Sequence, residues 1–172
     1  MEPVAPMRIL GLILALLLLP APAAAQVVIS FYSHDLGATF PHAFITLRGK
    51  TSDGRVVDTN FGFTAKALTP AILMGSVGGK VETSTPAYVA SSDRQFSLPL
   101  DDRQYASVMS LVDKWRTMPG KSYNLNKRNC IHFVGEVAQA VGLKVVFDKS
   151  LLKKPKSFLH SLVALNPWLK GS

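Results

Sequence analysis

The hydrophobic pattern of the chain changes its period close to residue 100. Before that point, short stretches rich in Val, Ile, Phe and Thr are separated by turn residues, which is typical of strands. After it, apolar residues recur at the spacing of one helix face: Tyr105, Val108, Leu111, Val112, Trp115 and Met118. The change predicts an α+β fold in which a small, mostly antiparallel sheet packs against two main helices.

The elements predicted from this pattern are short in the first half of the chain and longer in the second. Strands are expected over 27–32, 42–48, 55–61, 80–84 and 94–98, with a short helix over 69–74. A longer helix is expected to begin at Asp101, whose side chain and that of Gln104 fit a capping box. A second helix follows the cap residue Asn129 and stops at Gly142, and a short third one covers 158–165.

The first 25 residues have the organisation of a leader. Arg8 precedes an apolar run over 9–19, Pro20 breaks the run, and three alanines at 23–25 supply the small residues of a cleavage site. We therefore expect a signal peptide over 1–25, a secreted or periplasmic protein, and a single domain over 26–172. A retained membrane span is the alternative, but it would have to run through Pro20 and Pro22.

The chain is basic, with 19 Lys and Arg against 11 acidic residues and a net charge of +8. The tail from Lys144 contributes six lysines against one acid, Asp148. Such a charge favours anionic surfaces such as cell-wall polymers or lipid headgroups, although excess lysine also serves solubility alone. No nucleic-acid motif accompanies the charge, so nucleic acid is not an expected partner.

Cys130 is the one cysteine of the sequence, which excludes the disulfide framework of many small exported domains. It occupies the first helical position after the Asn129 cap. The helix dipole and the neighbouring Lys127 and Arg128 favour a thiolate there, so we expect a reactive nucleophile with a lowered pKa. The alternative is an inert, buried thiol that acts as a small apolar side chain.

A nucleophilic cysteine needs a base, and the chain has four histidines. His42 begins a strand expected to pack beneath the cysteine helix, and we select it as the catalytic base. His132 is turned about the helix away from Cys130, while His34 lies in a loop and His160 in the tail. The His and Cys spacings match no familiar zinc pattern, so neither a metal site nor a cofactor is predicted.

Three segments carry a family resemblance: PHAFITLRG over 41–49, RVVDTN over 55–60 and YNLNKRNCIHFVGEVAQAVGL over 123–143. They resemble the permuted branch of the NlpC-type papain-like superfamily, which includes lecithin retinol acyltransferase and bacterial cysteine amidases. In that branch the histidine strand precedes the cysteine helix. The resemblance implies a circularly permuted papain-like fold, a Cys-His pair and a third polar residue from the strand after the histidine.

Two residues qualify as the third member of the site. Asp58 and Asn60 share a face of the predicted strand, because strand side chains alternate. They reach His42 only if the register of the hairpin places that face beside it. The resemblance favours Asp58, since the family tends to place a carboxylate at this position.

Together these features predict an exported cysteine hydrolase in which Cys130 attacks a carbonyl, His42 transfers the proton and Asp58 orients the ring. An amide in cell-wall peptides is the preferred substrate. A lipid ester or thioester, hydrolysed or transferred to an acceptor, comes second. A non-catalytic binding module of the same fold and a secreted effector are the alternatives. The sequence does not determine the oligomeric state.

Overall fold

Five antiparallel strands form one sheet in the part of the chain that the structure describes. The computed structural model describes residues 26–35, 40–67 and 69–170, so the predicted signal peptide lies outside the described residues. The strands are β1 (Val27–His34), β2 (His42–Lys50), β3 (Val56–Ala65), β4 (Gly79–Glu82) and β5 (Asp93–Leu100). Their order is β4-β3-β2-β1-β5, which places β2 at the centre of the sheet.

The three longer helices follow the last strand, as the change of period predicts. The helices are α1 (Ala71–Met74), α2 (Pro86–Ala90), α3 (Asp102–Arg116), α4 (Cys130–Ala140) and α5 (Pro155–Leu165), with short 3₁₀ turns at Lys149–Leu151 and Pro167–Leu169. Helix α4 contacts β2 and β3, α5 contacts β1, and α3 packs against α4 and β4. The α+β class is confirmed, but three substantial helices cover the sheet rather than two, because α5 begins three residues earlier than expected.

One face of the sheet forms the core with these helices. Alternate residues of β1 and β2 point into it, among them Phe31, Ile45 and Leu47, and all three are fully buried. Trp115 of α3 meets the rings of Phe63 and Phe133 edge-on, with centroids 4.6 and 5.5 Å away. The core therefore fixes α4, and with it Cys130, against the central strands.

Both long-helix caps predicted from the sequence are present. Asp101 and Gln104 exchange hydrogen bonds in a capping box at the start of α3. Asn129 caps α4, where its side-chain oxygen accepts hydrogen bonds from the amides of Ile131 and His132. Among the described residues, no helix combines the length and apolar character needed to cross a bilayer.

Candidate active site

A cavity of about 510 Å³ opens at the end of the sheet where β2 begins. Its wall includes both Cys130, the first residue of α4, and His42, the first residue of β2. Other lining residues come from α1, α2, β4, the loop before α4 and the segment around Leu152. The structure therefore brings the two residues selected from the sequence into one enclosed space.

Backbone amides surround part of the Cys130 side chain. The N–H groups of Ala43, Ile131 and Cys130 itself favour the thiolate and so act to lower the pKa of this thiol. Ala43 directly follows His42, and it lies beyond the last pair of the β2–β3 ladder, Phe44 with Gly62. Cys130 thus lies near the end of the β2–β3 ladder, close to Ala43, the residue that follows His42.

Burial governs the acidity of this thiol. Cys130 is 6% exposed, and the loss of water raises the pKa of its thiol to about 11, although the three amide hydrogen bonds act in the opposite direction. Lys127 and Arg128 are exposed, so solvent screens their charges. The lowered pKa expected from the helix terminus and these two residues is therefore wrong, because desolvation outweighs them.

His42 lies over a glycine. A methyl group placed on Gly62 would come within 2.5 Å of Nε2 and 3.3 Å of Cε1 of the imidazole, so the ring occupies the space that a side chain would take. Gly62 pairs with Glu82 in the β3–β4 ladder, and Glu82 also lines the cavity. The sequence analysis did not select Gly62 or Glu82, since a lone glycine and a lone carboxylate in strands carry no distinctive signal.

The imidazole of His42 is neutral at pH 7. Burial lowers its pKa to about 4, the negative charge of Glu82 opposes that change, and the facing His34 adds to it. A neutral imidazole is the form that accepts a proton. The site therefore pairs a neutral thiol with a neutral base.

The two candidates for an orienting residue lie elsewhere. Asp58 pairs with Arg48 across the β2–β3 ladder, Nε to Oδ1 at 3.1 Å, and its side chain is 73% exposed. Asn60 binds the backbone of Ser84, with its amide nitrogen 3.1 Å from the carbonyl oxygen and its oxygen 2.6 Å from the amide. The observed register puts Asp58 at the opposite end of the hairpin from His42, so the assignment of Asp58 is corrected.

Glu82 is the acidic residue that the fold brings towards His42 in place of Asp58. Its negative charge raises the pKa of His42, and it lies opposite Gly62 in the β3–β4 ladder. Lys80 also pairs with Glu82, Nζ to Oε2 at 2.5 Å. Glu82 thus has the charge and the location of a group that stabilises an imidazolium.

The other histidines near the site have partners of their own. Nδ1 of His34 lies 3.0 Å from the hydroxyl of Ser92, and its ring stacks on Tyr88 with centroids 4.3 Å apart. Nδ1 of His132 lies 2.9 Å from Oδ1 of Asn129, within the helix cap. The His132 side chain is therefore part of the cap of α4.

Two tyrosines, Tyr88 and Tyr123, line the same cavity as Cys130. Burial, and then the proximity of Cys130, raise the pKa of both Tyr88 and Tyr123, so both phenols stay protonated as hydrogen-bond donors. Tyr88 lies on α2, which the sequence analysis missed. The signal for α2 was Thr85 followed by Pro86, since the Thr85 hydroxyl caps the helix and proline suits a first turn.

Asn129 ties the start of α4 to distant parts of the chain. Its side-chain nitrogen donates to the carbonyl oxygens of Leu125 and Leu152, at 2.8 and 2.6 Å. Its oxygen caps α4 at the same time. Within the described ranges, no group of three or more His, Cys, Asp or Glu side chains is arranged to hold a metal ion.

Comparison with known proteins gives a fold relationship. No protein-family model and no curated protein matches the chain. The chain is similar to the crystal structure of the type VI secretion system effector TseH, with a TM-score of 0.52 over 83% of this chain and 90% of that one. The identity is 14%, so this similarity shows the fold alone. At that level the α+β architecture is confirmed, with the strand that begins at His42 before the helix that begins at Cys130.

Proposed function

We propose that this protein is a cysteine hydrolase of the permuted papain-like kind, with Cys130 as nucleophile and His42 as base. The observation that carries the proposal is the cavity that Cys130 and His42 both line. Glu82 replaces Asp58 as the group that stabilises the charged ring. No other cysteine exists in the chain to supply a nucleophile.

The proposed reaction begins from neutral partners. As the Cys130 sulfur attacks the substrate carbonyl carbon, a ring nitrogen of His42 takes the thiol proton, and the Glu82 charge stabilises the imidazolium. His42 then returns the proton to the leaving amine or alcohol, and a thioester to Cys130 remains. Water attacks the thioester, which releases a carboxylic acid and restores the thiol.

Candidate donors for the oxyanion belong to the same cavity as Cys130. The amide of Cys130 belongs to the first turn of α4, where N–H groups lack helical partners. The phenols of Tyr88 and Tyr123 line this cavity. Groups fixed before the reaction stabilise a developing negative charge at little reorganisation cost.

The Cys-His pair acts on acyl carbonyls in general, so amides of cell-wall peptides and esters of lipids both fall within the proposal. Export after a leader over 1–25 is part of it, supported by the organisation of that segment. TseH is a type VI secretion system effector, which accords with the interpretation of this chain as a secreted effector.

The test is trapping of the acyl-enzyme. Incubation with a panel of chromogenic acyl esters, acyl amides and purified peptidoglycan should add one acyl group to Cys130, detected by intact-protein mass. Cys130→Ala should lose the adduct and about a thousandfold or more of turnover, while its melting temperature changes by only a few degrees. Equal turnover by wild type and variant on every substrate would contradict the proposed hydrolase activity.

A non-catalytic binding module is the second candidate, and the raised pKa of the Cys130 thiol favours it. A protonated sulfur without a productive base packs as a small apolar group. In that case Cys130→Ala would bind the same ligands as the wild type, and neither protein would form an adduct.

A further inference from the structure

His34 contacts two residues of the candidate active site without lining its cavity. It is the last residue of β1, rather than part of a loop as predicted from the sequence, and it pairs with His42 in the β1–β2 ladder. Directly paired side chains stand on the same face of a sheet, so the two imidazoles are neighbours. The ring of His34 also stacks on that of Tyr88, with centroids 4.3 Å apart, and Tyr88 lines the cavity.

The position of Tyr88 depends on contacts with the sheet. Tyr88 belongs to α2, a helix of five residues, and a helix of that length is not stable through its own hydrogen bonds. Besides His34, the Tyr88 ring approaches the ring of Phe44, with centroids 5.7 Å apart. Phe44 is fully buried in β2 and so provides a fixed surface. The tyrosine ring therefore rests on two side chains of the sheet, His34 and Phe44.

Ser92 connects His34 with the backbone of the same helix. The Ser92 hydroxyl donates to the carbonyl oxygen of Tyr88, at 2.7 Å, and its oxygen lies 3.0 Å from Nδ1 of His34. A hydroxyl has one proton, and here the carbonyl oxygen accepts it, so Nδ1–H of His34 donates to the Ser92 oxygen. His34 thus holds Tyr88 in two ways, directly through the stacked rings and through Ser92 at the backbone.

Ion pairs with α5 hold the strand ends where His34 and Ser92 meet. Nζ of Lys156 lies 3.1 Å from a carboxylate oxygen of Asp35 and 2.9 Å from one of Asp93. Asp35 follows His34 in the chain, and Asp93 follows Ser92. Each ion pair is largely exposed and contributes little stability alone. Together they connect the end of β1 with the start of β5, which keeps His34 within reach of Ser92.

From these contacts we infer that His34 is a positioning residue, which fixes Tyr88 in the cavity wall so that the phenol donates a hydrogen bond to the reacting carbonyl oxygen. The role of the phenol rests on the proposed function, while the position of the ring does not. As the Cys130 sulfur attacks, the carbonyl oxygen gains negative charge and the hydrogen bond from Tyr88 strengthens. The phenol keeps its proton throughout, since burial raises the pKa of Tyr88.

A second base is the alternative role for His34, because its imidazole neighbours that of His42. The contacts favour positioning over proton transfer. Nδ1 of His34 is engaged with Ser92, and His34 is absent from the cavity wall that His42 and Cys130 share. Substitution by phenylalanine separates the two roles, since phenylalanine retains a flat ring for stacking but has no nitrogen to accept a proton.

The position of Tyr88 is tested without turnover, in the full chain carrying Cys130→Ala. The nuclear Overhauser effect between the rings of Tyr88 and Phe44 should be present in this parent and in His34→Phe, and should be lost in His34→Ala. Ser92→Ala, a smaller change, should weaken it and decides the matter if His34→Ala does not fold. His160→Ala is the matched control, since His160 is exposed on α5. Equal intensities in the His34, Ser92 and His160 alanine variants would overturn the positioning role.

The role in turnover is tested by a double-mutant cycle with Cys130 present, on the ester or amide that acylates it. Tyr88→Phe should lower kcat about tenfold to a hundredfold with little change in KM, because it removes a hydrogen bond that is strongest in the transition state. His34→Ala should cause a similar loss, and His34→Phe should recover most of it. Since His34 acts through Tyr88, His34→Ala combined with Tyr88→Phe should cost no more than Tyr88→Phe alone.

The two measurements distinguish the ways in which the inference could fail. Additive losses in the cycle would overturn the action of His34 through Tyr88, and equal loss in His34→Phe and His34→Ala would indicate a second base instead. Unchanged kcat in Tyr88→Phe would overturn the role of the phenol. Turnover that Cys130→Ala leaves intact would overturn the proposed hydrolase together with that role, whereas the Overhauser effect alone decides the position of Tyr88.

Discussion

The absence of a side chain at position 62 leaves space for the imidazole of His42. Gly62 also pairs with Glu82 on the next strand, so this glycine lies between the proposed base and the nearby carboxylate. Its backbone does not need a positive φ, since Gly62 is not among the glycines with that conformation. The constraint at this position is therefore space beside the ring rather than backbone strain.

Gly62→Ala should displace the ring of His42 and lower kcat at least about tenfold, because the added methyl would lie 2.5 Å from Nε2. Gly75→Ala is the matched control, since a methyl there meets nothing within 4 Å. Steady-state kinetics and urea unfolding of both variants provide the measurement. Unchanged kcat in Gly62→Ala would show that the ring does not act from this position.

The pKa of the Cys130 thiol illustrates which properties of a residue can be predicted from the sequence. The cap, the first helical position and the nearby charges are all visible in the letters around Cys130. Burial is not, because it depends on how the Ala43 end of β2 and the segment around Leu152 close over the sulfur. Local sequence therefore singled out Cys130 as a candidate nucleophile but predicted the wrong direction for the pKa of its thiol.

At the scale of elements, the hairpin of β2 and β3 shows why the third site residue was misassigned. The sequence predicts both strands, but the face and the distance along a strand depend on register. With Arg48 opposite Asp58, the carboxylate lies at the far end of the ladder from His42. The carboxylate near His42 is instead that of Glu82 on β4, and no local sequence pattern predicts which strand β4 pairs with.

Asp58→Ala should leave kcat/KM within about twofold of the wild type. The ion pair with Arg48 is largely exposed on both sides, so its loss should lower the free energy of unfolding by no more than about 1 kcal/mol. Enzyme kinetics and urea unfolding check both statements. A large loss of turnover with intact stability would restore Asp58 to the site.

The start of α4 depends on Asn129 more than a helix usually depends on its cap residue. Asn129→Ala removes the cap and also leaves the carbonyl of Leu152 without its donor in a buried position. We expect the free energy of unfolding to fall by about 2 to 3 kcal/mol. Urea unfolding with the exposed Asn126→Ala as control measures it, and equal stability of the two variants would contradict the expectation.

For the whole molecule, the period of the hydrophobic pattern predicts the fold class. The sequence predicts the candidate site only in part. Strand and helix positions came from patterns within ten to twenty residues, which is why α3 and α4 were placed well. The junction of His42, Gly62, Glu82 and Tyr88 arises from pairing between separate strands and from α2. Such contacts join segments far apart in the chain, so no local pattern encodes them.

The stability of the whole molecule should depend on pH through His42. Its pKa is about 4 in the folded protein and 6.5 as the reference for the unfolded chain, so the unfolded chain takes up a proton first as pH falls. The free energy of unfolding therefore falls by about 3 kcal/mol as the pH decreases from 6.5 to 4, and the stabilisation is complete above pH 6.5. Urea unfolding across this range should show the decline in the wild type and in the exposed control His160→Asn. His42→Asn should show a smaller decline, and an equal slope in all three proteins would contradict it.

The burial of Cys130 also bears on how long such a protein survives outside reducing surroundings. A thiolate attacks peroxide and disulfides, and a sulfur kept protonated by its apolar enclosure offers very little thiolate at neutral pH. With no second cysteine in the chain, intramolecular disulfide formation is impossible as well. The enclosure of Cys130 should therefore slow its oxidation, which allows a solitary thiol to persist where oxygen is plentiful.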